Sequence, residues 1–253
     1  MLNQAIDWKL ITENVVQRTK RPKVPKHRHA YWTPPQIVQF LDAIQGERLE
    51  AAFWIMLTCG LRRGEICGLR DEDLRQVIDP QTGEPIALLS IQRKLLRETG
   101  HGLQVSEPKA DSARVVALEP RVFAKVKAWQ TTRAQDKRLA GPRRIESGYL
   151  FTSRVGTPIE PRNLDRTFQR MLQAHGFGHL KLHELRHSFA RALLAANESS
   201  KAVQQAIGHA TMAMTVDLYG DMILGTERQV VRTIGRILDT TEVTGNKPSS
   251  TPR

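Results

Sequence analysis

The segment KLHELRHSFARALL, residues 181–194, has two distinct faces when it is wound into a helix. One face is an apolar stripe at helical spacing, made of Leu182, Leu185, Phe189, Leu193 and Leu194. On another side His183, Arg186 and His187 stand at positions i, i+3 and i+4, so a helix presents them together. An imidazole–guanidinium cluster near a helix start concentrates positive charge where an anion can be held. The segment therefore predicts a core-packed helix with an anion-binding face.

A second segment with candidate catalytic residues is TCGLRRGEICGLRDEDL, residues 58–74. Gly60 predicts the end of one helix, and Arg62 stands at the start of the next turn. Glu65 follows Arg62 at i+3, so on a helix its carboxylate can hold the guanidinium in one orientation. Arg63 is the rival for this role, but its offset from Glu65 turns it to another face. Taken alone, the segment also fits an ordinary surface Arg–Glu pair.

Two further segments contribute single candidate residues. In SEPKADSARVVAL, residues 106–118, Lys109 precedes a polar turn between two strand-like runs, which predicts a lysine at a hairpin tip. In QQAIGHATMAMTVDLYGDM, residues 204–222, His209 follows a glycine that ends a helix, and Tyr219 lies on or at the end of the next helix. Each residue alone has an ordinary explanation, a solvated lysine or a half-buried aromatic ring.

The period of the apolar residues changes twice along the chain. Thr33 followed by two prolines predicts a helix start, and a second helix ends at Gly60. Four short strand-like runs come next: LRQVID, PIALLSIQRK, GLQVSEPK and ARVVALEP. Helical spacing then returns for the rest of the chain. This order predicts an α+β, mainly helical fold with a small antiparallel sheet.

Composition divides the chain into four parts. Residues 1–15 predict one amphipathic helix, which needs a surface to pack on. Residues 16–32 are rich in Lys, Arg and Pro and predict a basic linker. Residues 33–239 predict the folded domain, and residues 240–253 predict a disordered tail.

The charge balance indicates a polyanionic partner. The 253 residues carry a formal net charge of +12, which favours nucleic acid. An anionic membrane surface is the competing partner, but no apolar run reaches the roughly 18 residues of a spanning helix. The two cysteines, Cys59 and Cys67, lack the spacing of a zinc site and are too few for a disulfide scaffold. They are typical of small buried residues in a reducing cytoplasm.

The four segments that carry these candidate residues, taken in their order along the chain, resemble the signature of the tyrosine recombinases, the integrase family of phages and mobile elements. The stretches that carry the resemblance are GLRRGE, PKADSAR, HELRH and IGHATMAMTVDLY. The similarity extends over roughly residues 30–240 and implies the catalytic-domain fold of that family. It also implies an active site made of Arg62, Lys109, His183, Arg186, His209 and Tyr219, with Glu65 and His187 in support. The segment HLKL before His183 departs from relatives that carry Thr or Pro there.

The resemblance implies a site-specific recombinase that breaks and rejoins DNA strands. Tyr219 would attack the phosphodiester and form a 3′-phosphotyrosyl link, without metal, cofactor or ATP. Arg62 and Arg186 would bind the non-bridging oxygens, because guanidinium forks match a phosphate. His183 would accept the proton of Tyr219, and Lys109 would protonate the departing 5′ oxygen.

The resemblance also implies partners and a setting. Double-stranded DNA is the expected substrate, with self-association into a tetramer on DNA during synapsis, in the cytoplasm of a bacterium. Relatives carry a helical DNA-clamping domain ahead of the catalytic one, so residues 1–15 would be its remnant, in an isolated domain or a natural truncation. The final helix, residues 226–239, can pack on its own domain or on a neighbouring protomer. DNA binding is expected to be weak and to fall steeply with salt.

Two other functions fit the same sequence. One is a truncated, non-catalytic protein that occupies recombination sites; retention of every catalytic position argues against it. The other is a relaxase similar to type IB topoisomerases, which shares the chemistry but acts without a partner site. Formation of a covalent adduct and dependence on a DNA site distinguish the three.

Overall fold

A computed structural model describes residues 2–19, 30–79, 82–106, 113–207 and 220–239. The α-helices of these residues are α1 Leu2–Asp7, α2 Pro34–Ala43, α3 Glu50–Cys59, α4 Arg63–Gly68, α5 Pro120–Ala140, α6 Pro161–Ala174, α7 Leu182–Ala195, α8 Ser200–Ile207 and α9 Gly220–Asp239. The strands are β1 Leu74–Ile78, β2 Pro85–Ile91, β3 Lys94–Glu98, β4 Gly102–Ser106 and β5 Arg114–Leu118. The predicted mainly helical α+β fold is confirmed. Among the described helices, none combines the length and apolar character that a membrane span requires.

Helix α3 is the centre of the core. Its sequence EAAFWIMLTC is apolar on every side, and all its residues from Ala51 to Cys59 are buried. A helix without a polar face is stable only when other elements surround it. Helices α2, α5 and α7 pack against it, and Phe53 stacks on Phe168 of α6 with ring centroids 5.6 Å apart. Both ends of α3 are therefore held in fixed positions.

Helix α2 begins with the capping residues that the sequence predicts. Pro34 opens the helix, and the backbone N–H of Thr33 donates to Oε1 of Gln36 at 2.9 Å. The preceding residue, Trp32, is buried, and its N–H donates to the hydroxyl of Ser188 at 2.8 Å. This bond links the entry of α2 to the middle of α7.

The antiparallel sheet has two parts. Strands β1, β2 and β5 form one three-stranded sheet in that order, with Leu89 opposite Val116. Strands β3 and β4 form a separate hairpin around the turn after Glu98. The strand before Lys109, β4, therefore pairs with β3, and the strand after it, β5, pairs with β2. The prediction that these two strands form a hairpin with each other is wrong. Lys109 itself lies outside the described residues.

The N-terminal helix is shorter than the predicted span of residues 1–15. It ends at Asp7, where the N–H of Leu10 donates to the carbonyl of Ala5 and the N–H of Lys9 to that of Ile6. These two bonds form a Schellman motif, with Lys9 in the left-handed conformation at φ 57°. Helical periodicity does not reveal such a stop, because a lysine at this position is uncommon.

Helix α9 packs on the domain from which it comes. It contacts α2, α7, α8 and β5, and its buried apolar residues are Val230, Ile234, Ile237 and Leu238. Arg121 of α5 donates to the carbonyl of Gly235 at 3.0 Å, and Arg228 forms an ion pair with the buried Asp79. The helix begins at Gly220, six residues earlier than the predicted start at residue 226. The predicted disordered tail, residues 240–253, lies outside the described residues.

Candidate active site

The site begins at the carboxyl end of α3, where Gly60 reverses the chain. Its φ of 62° is left-handed, which glycine adopts without steric cost. There is also no room for a larger residue. A Cβ on Gly60 would lie 2.5 Å from Cδ1 of Phe189 in α7 and 3.3 Å from Cγ2 of Ile207 in α8. Gly60 thus brings the backbone before Arg62 into direct contact with α7 and α8.

Arg62 directly precedes α4 and is held by Glu65. The backbone N–H of Arg62 donates to Oε2 of Glu65 at 2.9 Å, and its Nη1 donates to Oε1 at 2.7 Å. The Glu65 side chain is 3% exposed, whereas that of Arg62 is 36% exposed. The predicted ion pair is present, and it leaves part of the guanidinium open to solvent. Arg63, the rival residue, points elsewhere and pairs with Asp165 of α6.

Arg186 joins the separate segments. It lies in α7 and is 3% exposed. Its Nη1 donates to the carbonyl of Gly60 at 2.6 Å, and its Nη2 donates to the carbonyl of Ile207 at the end of α8. Burial, with the charges of Arg62 and Arg114, lowers its pKa to about 9. The guanidinium is still protonated at neutral pH, but an added anion would stabilise its charge.

Arg114 also belongs to the site, although no sequence pattern indicates it. It opens β5, and its Nη2 donates to Oε2 of Glu65 at 3.2 Å. Its side chain is 9% exposed. Burial opposes ionisation of Glu65, but the charge of Arg114 and the hydrogen bonds from Arg62 and Arg114 hold the pKa of Glu65 below its ordinary value. One buried carboxylate therefore fixes two arginines. A separation of 49 residues gives no periodic signal for this contact.

The two histidines of α7 share one side of the helix start. The rings of His183 and His187 are 5.1 Å apart between centroids and nearly perpendicular, at 87°. His183 is exposed, whereas His187 is half-buried. His183 is thus open to solvent at the start of α7, and its role as the catalytic histidine, with His187 in support, stays a prediction.

The described part of the site is strongly cationic. Arg62, Arg114 and Arg186 act electrostatically on one another or on the same carboxylate, that of Glu65. Three guanidiniums against one carboxylate leave an excess of positive charge in a largely buried setting. Such an arrangement can bind an oxyanion and stabilise charge that develops on it.

Comparison with known proteins places the chain in a family. The model of the phage integrase family matches residues 31–222. The chain belongs to that family. Within it, a XerC-like tyrosine recombinase of Caldanaerobacter subterraneus subsp. tengcongensis is 26% identical over 92% of this chain. XerC of Pseudomonas aeruginosa strain LESB58 is 31% identical over 77% of it. The chain spans 62% and 56% of the length of these two recombinases.

Solved integrase structures share the fold. The Tn1549 transposon integrase in complex with a circular intermediate DNA aligns with a TM-score of 0.58 and 25% identity. The alignment covers 91% of this chain and 74% of that integrase. The resemblance seen in the sequence motifs is therefore confirmed at the level of family and fold.

Three of the six candidate catalytic positions of this integrase-family chain, Lys109, His209 and Tyr219, lie outside the described residues. All three fall within the matched residues 31–222. In the sequence, His209 comes two residues after Ile207, whose carbonyl binds Arg186. Tyr219 directly precedes Gly220, the first residue of α9. The helices on either side of residues 208–219, α8 and α9, contact each other and α7, the helix that carries Arg186.

Proposed function

We propose that the chain cleaves and rejoins double-stranded DNA through a covalent 3′-phosphotyrosyl intermediate on Tyr219. The observation that carries the proposal is the position of Arg186. Its guanidinium binds the backbone of Gly60 and of Ile207, and so connects the segments of Arg62 and His209. Family membership and the DNA complex of the Tn1549 integrase support DNA as the substrate.

In this proposal the arginines bind the scissile phosphate. Arg62 presents a partly open guanidinium held by Glu65, and Arg186 uses two of its five N–H donors on backbone carbonyls. A fork held in this way loses little entropy when it binds non-bridging oxygens. Both charges stabilise the transition state, in which the phosphorus centre gains negative charge.

Proton transfers fall to the remaining residues. Tyr219 has an ordinary pKa near 10, so forming its phenolate at pH 7 costs about 4 kcal/mol. A cationic surrounding lowers that cost, and the exposed His183 accepts the proton. Lys109 protonates the departing 5′ oxygen, and His209 binds the phosphate with the arginines. The 5′ hydroxyl then attacks the phosphotyrosine, the bond to Tyr219 breaks, and its proton returns.

Domain roles and setting follow from this activity. Residues 33–239 are the catalytic domain, and residues 16–32 are a basic linker. The protein acts on DNA in a bacterial cytoplasm and assembles as a tetramer at two DNA sites. The cis packing of α9 is the state before assembly.

A nicked suicide substrate tests the activity. The DNA carries its nick close to the cleavage site, so the short 5′-hydroxyl strand diffuses away and the covalent adduct accumulates. Denaturing gels are expected to show a protein–DNA adduct with the natural chain and none with Tyr219→Phe. The control is Tyr31→Phe, because the Tyr31 ring packs under Arg191, with 3.9 Å between Cζ and the ring centroid, and has no proposed chemistry.

The outcomes separate the alternative functions. Relaxation of plasmids without dependence on a site would assign the chain to the topoisomerase-like class. DNA binding without an adduct, on substrates that a full-length relative cleaves, would leave a non-catalytic binding protein. An adduct that persists in Tyr219→Phe would overturn the assignment of the nucleophile.

A further inference from the structure

A second group of arginines lies at the other end of α3 from Gly60 and Arg62. Arg48 lies two residues before the start of this helix, and its Nη2 donates to the carbonyl of Thr152 at 3.0 Å. The same nitrogen lies 2.7 Å from Oδ2 of Asp136 in α5. Ten helical residues separate the two ends by about 15 Å. The group is therefore distinct from the candidate active site.

Arg144 is the most buried cation of this second group. Its side chain is 9% exposed, and it packs against Gly156, where an added Cβ would lie 2.8 Å from Cζ of Arg144. Neither Nε nor Nη1 of Arg144 has a hydrogen-bond acceptor among the described residues. Glu146 lies 3.6 Å from Nε, but it is exposed and binds Lys137 at 2.7 Å.

Other buried polar atoms in the group also have no hydrogen-bond partner among the described residues. Nη1 of Arg48 and the hydroxyl of Thr152 are buried and have no hydrogen-bond partner within the described part of the chain. Burial lowers the pKa of Arg48; Asp136 opposes this effect, and the nearby Arg154 and Arg144 add to it. A buried donor without a hydrogen-bond acceptor destabilises the fold, and a charged donor does so more strongly. A small acceptor with negative charge would satisfy several of these donors at once.

We infer that Arg48, Arg144 and Arg154 form a phosphate-binding site between α5, the start of α3 and the segment of residues 144–158. Asp136 pairs with Arg48, and the exposed Glu146 lies beside Arg144, so three guanidiniums stand against two carboxylates and the group retains a positive excess. Arg144 and Arg48 bind the anion from inside, and the exposed Arg154, whose charge acts on Arg48, adds to the positive potential. Phosphate suits the site because guanidinium forks bind its oxygens in pairs. The source is either free inorganic phosphate or a phosphate of the DNA backbone.

Calorimetric titration of the full chain with inorganic phosphate, at constant ionic strength, tests the site. We expect saturable binding to the natural chain and at least tenfold weaker binding to Arg144→Gln. Arg154→Gln is a second variant whose exposed side chain keeps the fold intact, and we expect it to bind severalfold more weakly. The matched control is Arg138→Gln, an exposed arginine of α5 that forms no described ion pair, and its binding should be unchanged.

A second titration identifies the source. Duplex DNA added to the phosphate-loaded chain should release phosphate if the site holds a backbone phosphate, and should leave it bound if the site holds the free anion. Equal phosphate binding by the natural chain, Arg144→Gln and Arg154→Gln, or no saturable binding at all, would overturn the inference. The readout needs no DNA cleavage, so its failure is separate from a failure of the proposed function.

Discussion

The Nη1 of Arg186 donates a hydrogen bond to the carbonyl oxygen of Gly60 across 2.6 Å. These residues are 126 positions apart, and the bond joins the end of α3 to the middle of α7. It sets the direction in which the chain leaves α3, and Arg62 follows two residues later. Arg186 thus holds the backbone that leads to Arg62. Substitutions in this small region should affect stability and cleavage together.

Gly60→Ala should destabilise the fold. Alanine in the left-handed conformation costs about 1 kcal/mol, and the clash with Phe189 adds about 1–3 kcal/mol of overpacking. The control is Gly46→Ala, since Gly46 has a φ of 82° but nothing within 4 Å of an added Cβ. Chemical denaturation should therefore show a loss at least twice as large for Gly60→Ala. Equal losses would mean that the contact with α7 contributes nothing.

Glu65→Gln should reduce both stability and the fraction of Arg62 in the productive orientation. Loss of a buried carboxylate between two arginines costs about 3 kcal/mol. The pKa of Glu65 is lowered in the fold, so its contribution is present above the pKa of the unfolded chain, about 4.3, and is lost as pH falls through the folded value. The stability difference between the natural chain and the variant should therefore shrink as the pH falls below about 5.

Denaturation curves at several pH values measure this difference. Glu84→Gln is the control, because Glu84 is exposed, and its curve should follow that of the natural chain. A difference for Glu65→Gln that stays constant down to pH 3 would show that the carboxylate charge is not what holds Arg62 and Arg114.

Arg62→Lys should reduce cleavage strongly, whereas Arg63→Lys should leave it nearly unchanged. Lysine keeps the charge at position 62 but loses the fork that binds Glu65 and a phosphate oxygen together, so we expect a loss of about 100-fold or more in adduct formation. Arg63 pairs with Asp165 at the surface, so Arg63→Lys should stay within about threefold of the natural chain. Single-turnover rates on the suicide substrate measure both. An inactive Arg63→Lys beside an active Arg62→Lys would transfer the role to Arg63.

Local patterns predicted those parts of the site that a single helix brings together. The pair of Arg62 and Glu65 and the cluster of His183, Arg186 and His187 follow from i, i+3 and i+4 spacing alone. Arg114 could not be found in this way, because it reaches Glu65 only after β5 pairs with β2. Strand pairing between distant segments depends on the whole sheet, and a linear pattern does not specify it.

The same limit explains why the strands predicted from the sequence differ from those of the structure. The run PIALLSIQRK reads as one strand, but β2 ends at Ile91 and β3 begins at Lys94 in a different sheet. The β3–β4 hairpin packs its first strand against α4, where Gly64 and Gly68 allow the backbone of residues 93–95 to approach closely. Close backbone approach is a tertiary event, so glycines in a helix indicated it only in retrospect.

Cys67 should be inert toward thiol reagents in the folded chain. Cys67 is a buried residue of α4, and burial raises its pKa to about 12. The thiolate, which is the reactive form, is then on the order of one part in ten thousand at pH 8. Alkylation by iodoacetamide, followed by mass spectrometry, should label Cys67 only in denaturant. Rapid labelling under native conditions would show that the end of α4 opens readily.

The exposed arginines of α6 should contribute to DNA affinity through phosphate contacts. Arg162, Arg166 and Arg170 stand at i, i+4 and i+8 and so share one face of a helix that packs against α4, beside the candidate site. If each contacts one phosphate, replacing all three with Gln should reduce the slope of log affinity against log salt by about 2.7. The triple Lys variant is the control, because it keeps the charges and should keep the slope. A Gln variant with the slope of the natural chain would mean that this face does not lie along the DNA, and that the net charge of +12 acts through other surfaces.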